Sequence, residues 1–312
     1  MRNNATGAVI CIIIACSLWA TTGTAANFAP SINPLAIGAF AMGAAGLLLL
    51  ITAFKTVLKE RVKLIKVPVL LVLGGISIAI YPLAFYSSMK LAGVAIGTVV
   101  SLASAPFFSI VFERLINKKI ISLRWMVSFA FGVLGVALIA MGKQSHGQQT
   151  LINNTEYLRL SATHFGVILG LIAGLAYAVY AWAGKQMIDQ GISSNASMAS
   201  MFGFASVLLL PSLFITGDNL FATPTNTVVS IYMAVVPMFI GYLLFGYGLR
   251  HIEASKATLL TLLEPVLATL LAVIVVGEKF NSWGWLGMVL ILVCLALQIV
   301  RVPIKLGGRQ AV

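Results

Sequence analysis

Charged side chains are scarce in this chain: eight acidic and twenty basic residues among 312, or 9%, against 60% hydrophobic residues. A water-soluble globular domain has roughly a quarter of its residues charged. That shortage excludes one here and calls for a lipid surround. Cysteine is nearly absent too. The three present, Cys11, Cys16 and Cys294, have no spacing suited to a disulfide framework or a metal site, and read as small packing residues. His146, His164 and His251 stand in loops or at the ends of apolar runs, without the grouping that metal ligation or nucleophile and base chemistry needs. No Gly-x-x-x-x-Gly-Lys-Ser/Thr phosphate loop occurs, so an ATP motor within the chain is not expected. Neither enzymatic activity, nor a cofactor, nor a bound metal is expected.

What the sequence does hold is long apolar runs. A bilayer crossing by a helix takes about 20 apolar residues, and ten runs meet that length, at roughly 7–27, 34–54, 68–89, 92–113, 124–142, 164–184, 195–216, 227–248, 254–277 and 282–300. The gaps between them are short, leaving no room for an attached soluble domain. Arg2 followed by an apolar run ending Ile13-Ile14-Ala15-Cys16 has the form of a lipoprotein signal. The run continues to about Ala26, however, long enough to span, and is read as the first crossing.

The net charge of +12 follows the same topology. With the N-terminus inside, all basic residues except Lys90, Lys143, Arg159 and Lys279 fall on the cytoplasmic side, the bias that orients membrane proteins. The basic excess is therefore a topology signal and not a nucleic-acid footprint. Both termini are expected in the cytoplasm.

The ten spans divide into two similar sets of five. A shift of 159 lays Gly7 on Gly166, Pro106 on Pro265 and Ala137-Leu138 on Ala296-Leu297. A shift of 160 lays Phe85 on Phe245, Lys90 on Arg250, Thr98 on Thr258 and Leu102 on Leu262. The expected organisation is a first five-helix repeat at 1–142, a polar join at 143–163 and a second five-helix repeat at 164–312. An odd number of crossings per copy inverts the second copy in the membrane, which is the layout of many secondary transporters. Pro82 and Pro237, then Pro106 and Pro265, punctuate matching spans and are expected to kink them. Gly166, Gly170 and Gly174 form a smooth face for close helix packing. Trp125, Trp283 and Trp285 lie at span ends, where indole rings favour the headgroup region.

One carboxylate stands apart. Glu264 lies ten residues into the ninth span, where a charged group is unfavourable by about 2.5–3.5 kcal/mol on insertion scales. Desolvation disfavours the charged form of a carboxyl group, which suits either proton coupling or a contact with a cationic substrate group. A structural clasp holding the acid neutral is the alternative. Thr258 and Thr261 share its face at helical spacing, just before Pro265. The matching position in the first half is Ala105, so the halves differ at the midplane. Several aromatic residues lie too deep for interface anchors: Trp19, Tyr81, Tyr86, Tyr177, Tyr180, Tyr242 and Tyr247. Buried tyrosine hydroxyls need partners, and such a set suits a cavity for a substrate with apolar and polar parts, with helix packing as the other reading. Glu113-Arg114, near the cytoplasmic end of the fourth span, reads as an interfacial salt bridge, or else a gate contact. Lys90 and Arg250 read as snorkelling side chains.

Three runs together resemble a known family. Ser17-Leu18-Trp19-Ala20-Thr21-Thr22-Gly23-Thr24, then Gly97-Thr98-Val99-Val100-Ser101 leading to Ala105-Pro106, and Leu262-Leu263-Glu264-Pro265 closing with Val276-Gly277-Glu278 are similar to EamA-type members of the drug/metabolite transporter superfamily, over nearly the whole chain. The resemblance implies a bacterial inner-membrane carrier with a central cavity between its halves, often an exporter of amino acids, amines or other small metabolites. Two departures stand out. Asn117-Lys118-Lys119 replaces the Val-Gly-Glu ending in the first half, and Ala39-Phe40-Ala41-Met42 stands where relatives often place an arginine.

The combined expectation is an all-α integral membrane protein of ten transmembrane helices. It would move a small-molecule substrate by alternating access, with Glu264, Thr261, Thr258, Trp19, Tyr81, Tyr86, Tyr177, Tyr180 and Tyr242 at the site. If transport is ion-coupled, the proton is the expected ion. A flippase for an amphiphilic or lipid-linked molecule and a passive channel or facilitator are the alternatives. Ten helices complete both halves, so a monomer suffices.

Overall fold

Ten helices of membrane-crossing length and composition make up the computed structural model, which describes residues 2–142, 156–277 and 279–299. They are α1 (Ala5–Asn27), α2 (Pro34–Ile65), α3 (Pro68–Ala92), α4 (Ile96–Leu115), α5 (Leu123–Gly142), α6 (Ala162–Asp189), α7 (Ser194–Thr216), α8 (Pro224–His251), α9 (Ala254–Val276) and α10 (Ser282–Ile299). Lys143, the polar residues 144–154, Glu278 and the basic residues 301–309 lie outside the described residues.

Local signals fix the helix ends. α2 opens with Pro34 in its first turn, where a missing N–H costs nothing, and the Asn33 side chain accepts from the Leu35 N–H at 3.0 Å. α8 opens in the same way, with Pro224 in its first turn and Thr223 Oγ1 accepting from the Asn226 N–H at 3.1 Å. Gly93 joins α3 to α4 at φ +90°, a conformation that side chains with a Cβ resist. α2 runs about ten residues further than its apolar stretch, because Lys55, Lys59, Glu60, Arg61 and Lys63 continue the helix beyond the membrane-length run. Residues 156–163, expected in the polar join, are helical and continuous with α6.

Helix packing has a regular order. α5 packs on α10 and α2 on α7; α3 packs on α6, and α1 on α8; α4 packs on α6, and α1 on α9; α3 packs on α7, and α2 on α8. Exchanging each helix of the first five with the one five places later returns the same set of pairs. Small residues permit the closest approaches. A Cβ on Gly135 would lie 2.7 Å from the Gly287 carbonyl oxygen, where α5 crosses α10. The Gly166, Gly170 and Gly174 face of α6 lies against α3 and α4, and a Cβ on Gly170 would meet Ser88 Oγ at 2.9 Å. Large apolar side chains such as Phe214, Ile274 and Val207 point outward, as a lipid-facing surface requires.

The paired prolines behave differently in the two halves. Pro82 and Pro106 sit inside helices that stay α-helical. Pro237 lies in a π-helical stretch over residues 234–240, and α9 breaks at Thr261 and Leu262, just before Pro265. Two of the expected anchors, Trp283 and Trp285, are exposed, but Trp125 is not one: it is 8% exposed and stacked on Phe129 at 5.1 Å.

Candidate functional site

The break in α9 shapes the centre of the molecule. Proline has no N–H, so Pro265 leaves the Thr261 carbonyl without its usual helical donor, and the Glu264 N–H takes that carbonyl at 3.0 Å. One turn earlier the Leu262 N–H reaches back only to the Leu259 carbonyl, at 3.3 Å, while the Thr258 carbonyl accepts from Thr261 Oγ1 at 2.8 Å. The Leu260 carbonyl faces the Cys16 thiol of α1, 3.9 Å away. The result is a nine-residue helix, Leu263–Leu271, with Glu264 in its first turn. A carboxylate there is favoured by the helix dipole.

Glu264 lines two small adjoining hollows, both open at one side. The first is lined by Trp19, Thr22, Tyr81, Tyr177, Tyr180, Met238, Tyr242 and Glu264. The second shares Thr22, Tyr81, Met238 and Glu264 and adds Tyr86 with Pro82, Phe85, Gly38, Ala41, Met42 and Met233. The space thus runs from the middle of α9 toward the end of the bundle where α1 finishes and α2 and α8 begin.

The aromatic residues form one connected group. Tyr177 and Tyr180, three apart on α6, stack at 5.0 Å. Tyr81 of α3 lies 5.5 Å from Tyr177 and 6.1 Å from Tyr180. Trp19 of α1 lies 5.0 Å from Tyr242 of α8, and Phe202 of α7 lies 4.4 Å from the same ring. Hydroxyl groups tie these rings down: Tyr180 and Tyr242 share a hydrogen bond of 3.2 Å, and the Tyr177 hydroxyl donates to Thr261 Oγ1 at 3.1 Å. Among the described residues, the Glu264 carboxylate has neither a hydrogen-bond donor nor a basic side chain as partner.

The structure therefore gathers Glu264, Trp19, Tyr81, Tyr86, Tyr177, Tyr180 and Tyr242 around one space. Thr261 and Thr258 stand behind it. Both are buried; Thr261 holds Tyr177, while Thr258 Oγ1 bonds the Ala254 and Ser255 carbonyls of its own helix. Tyr247 is elsewhere, 38% exposed and packed on His251 at 5.0 Å. Thr22 and Met238, which line both hollows, are not among the site residues expected from the sequence, and neither are Gly38, Ala41, Met42, Pro82, Phe85 and Met233 of the second. Thr22 stands one turn beyond Trp19 and Met238 directly follows Pro237, so spacing from recognised residues is the signal that would have found them.

The opposite end of the bundle is closed by polar contacts. Glu113 is 3% exposed and pairs with Ser255, not with Arg114: it accepts the Ser255 N–H at 3.0 Å and its hydroxyl at 2.6 Å. Arg114 instead donates to the Lys119 carbonyl at 3.3 Å. Lys119 pairs with Glu253, and Trp182 Nε1 donates to Asn117 Oδ1 at 3.1 Å. Among the described residues no group of histidine, cysteine or acidic side chains is arranged to hold a metal ion.

The family model of the EamA-like transporter family matches the chain twice, over residues 6–141 and 164–300. The uncharacterized transporter YwfM of Bacillus subtilis is 30% identical over 283 residues, 90% of each chain. The uncharacterized inner membrane transporter YicL of Salmonella typhimurium is 22% identical over 291 residues, 90% of this chain and 91% of its own. The uncharacterized inner membrane transporter YedA of Escherichia coli K12 is 26% identical over 200 residues, 64% of this chain and 60% of its own. A crystal structure with 16% sequence identity superposes with a TM-score of 0.75, covering 94% of this chain and 96% of that one. It shares the fold.

Proposed function

The chain belongs to the EamA-like transporter family, and from that membership we propose that it is a secondary transporter exporting small metabolites, such as amino acids or amines, across the bacterial inner membrane by alternating access. It is a multi-pass membrane transporter and not an enzyme. The halves 1–142 and 164–312 act as inverted repeats about the join at 143–163, with both termini in the cytoplasm. The helix pairing that maps onto itself when the halves are exchanged supports this reading, as does the bias of lysine and arginine toward one side.

The observation that carries the proposal is Glu264: an acid at the middle of a broken helix, without a partner among the described residues, at the junction of both hollows. Isolated ionisable groups at that depth are unfavourable and mark transport pathways. In the proposed cycle Glu264 takes substrate or a proton in alternation. The rocking of one half against the other opens in turn the end lined by Thr22 and Gly38 and the end held by Glu113 and Ser255. Purified protein in liposomes tests this through flux driven by a pH gradient. Glu264→Gln is expected to abolish gradient-driven flux while leaving the protein folded. Full gradient-driven transport by that variant removes Glu264 from the mechanism.

A further inference from the structure

The wall of the central space has a one-sided chemistry. Among the described residues its one formal charge is that of Glu264, and no lysine, arginine or histidine lines either hollow. Around the carboxylate stand the rings of Trp19, Tyr81, Tyr177, Tyr180 and Tyr242, whose π-systems attract cations. Three of the four tyrosine hydroxyls are already engaged: Tyr180 with Tyr242, and Tyr177 with Thr261. The donors left on this wall, one hydroxyl of the Tyr180–Tyr242 pair, that of Tyr81 and the Trp19 Nε1–H, are all neutral groups.

A guest must satisfy this wall. A group with a positive charge gains a carboxylate partner and several aromatic rings, and it relieves a buried acid of its isolation. An amino-acid zwitterion brings the same ammonium group, but its own carboxylate then enters a space that has no cation to meet it, and an unpaired buried charge is strongly unfavourable. An anion meets repulsion from Glu264 and has neutral donors alone to offset it. A neutral amphiphile of equal shape gains apolar contact alone.

We infer that the space bounded by Glu264, Trp19, Tyr81, Tyr177, Tyr180 and Tyr242 selects small organic monocations, amines and quaternary ammonium compounds that carry no carboxylate, and rejects amino acids. The inference rests on the reading of this space as the substrate site. A single acid limits the guest to one positive charge. The aromatic wall tolerates methylated ammonium heads, which donate no hydrogen bonds yet are bound by aromatic rings.

Full-length purified protein in detergent, titrated by calorimetry, tests the inference with probes of matched shape. These are choline against its neutral carbon isostere 3,3-dimethylbutan-1-ol, and benzyltrimethylammonium against phenylalanine. Both cations are expected to bind, with the neutral and zwitterionic partners weaker by about tenfold or more. Tyr81→Phe keeps the ring and is expected to hold affinity within about threefold, whereas Tyr81→Leu is expected to lose about threefold to thirtyfold. Equal binding of phenylalanine, equal binding of the neutral isostere, or failure of both cations to bind overturns the inference. Counterflow in liposomes separates this outcome from failure of the underlying site. Transport of an amino acid that is lost in Glu264→Gln overturns the charge selectivity and leaves the site in place. Transport of a cation that is untouched by both Glu264→Gln and Tyr81→Leu overturns the site itself. The comparison among probes on the unaltered protein stands even where a variant fails to fold.

Discussion

Glu113 of α4 holds the first turn of α9, accepting both the backbone N–H of Ser255 at 3.0 Å and its hydroxyl at 2.6 Å. A second acid does the same for another helix at that end of the bundle. Glu60 of α2 accepts the backbone N–H of Ser193 at 2.8 Å and its hydroxyl at 3.1 Å, at the start of α7. In each pair an acid near the end of a first-half helix satisfies orphan donors at the start of a second-half helix. These contacts join the halves on the side away from the hollows.

The Glu113 contact gives a graded prediction. Glu113→Ala leaves a buried backbone N–H and hydroxyl without an acceptor and is expected to destabilise the protein by about 1–3 kcal/mol. Glu113→Gln keeps one acceptor oxygen and is expected to lose less. Thermal unfolding in detergent measures both, and equal losses for the two variants would show that the acceptor role is not what Glu113 supplies.

Tyr177 and Thr261 are expected to act as a unit. The Tyr177 hydroxyl donates to Thr261 Oγ1, which donates in turn to the Thr258 carbonyl exposed by the helix break. Tyr177→Phe and Thr261→Val should each reduce stability, and the double variant should lose less than the sum, with a coupling of about 0.5–1.5 kcal/mol. Strict additivity in a double-mutant cycle on thermal stability would count against the chain of hydrogen bonds.

Two glycines are expected to respond with opposite sign. Gly135 lies where α5 and α10 approach so closely that a Cβ would meet Ile291 Cγ1 at 2.6 Å, and Gly135→Ala should destabilise by about 1–3 kcal/mol. Gly23, exposed on α1, has no atom within 4 Å of an added Cβ, and Gly23→Ala should stabilise by about 0.5–1 kcal/mol through helix propensity. Melting temperatures of the two variants decide the matter, and loss of stability in both would be the failing result.

Much of this arrangement is legible in the sequence, because the length of an apolar run and the helical spacing within it are local properties. The ten spans, the smooth glycine face of α6 and the depth of Trp19, Tyr81, Tyr177, Tyr180 and Tyr242 all follow from them. What escapes is what depends on a neighbour distant in the chain. Glu113 looks paired with Arg114 because they are adjacent, yet adjacent residues on a helix point in different directions, and its partner is 142 residues away. Trp125 sits at a span end by count, but Phe129 covers it. Thr258 and Thr261 look like lining because a continuous helix would put them on the face of Glu264, and the break at residues 261–262 sets them behind it.

The same break separates two prolines that look equivalent in sequence. Pro106 stands inside a helix that remains α-helical, whereas Pro265 follows a break that leaves Glu264 in the first turn of a new helix. Pro265→Ala supplies an N–H for the Thr261 carbonyl and removes the ring that prevents α9 from running straight through. A continuous α9 would draw the Glu264 N–H back to Leu260 and turn the carboxylate relative to Tyr81 and Tyr177. Pro265→Ala is therefore expected to keep or raise thermal stability while lowering the transport rate about tenfold or more, in line with the sensitivity of binding geometry to displacements of an ångström. Pro106→Ala replaces a proline whose helix is already continuous, and its transport rate is expected to stay within about twofold of the unaltered protein on the same ground. Parallel flux and unfolding measurements on the two variants test this asymmetry. Equal loss of transport in both would mean that the break in α9 has no special part in positioning Glu264.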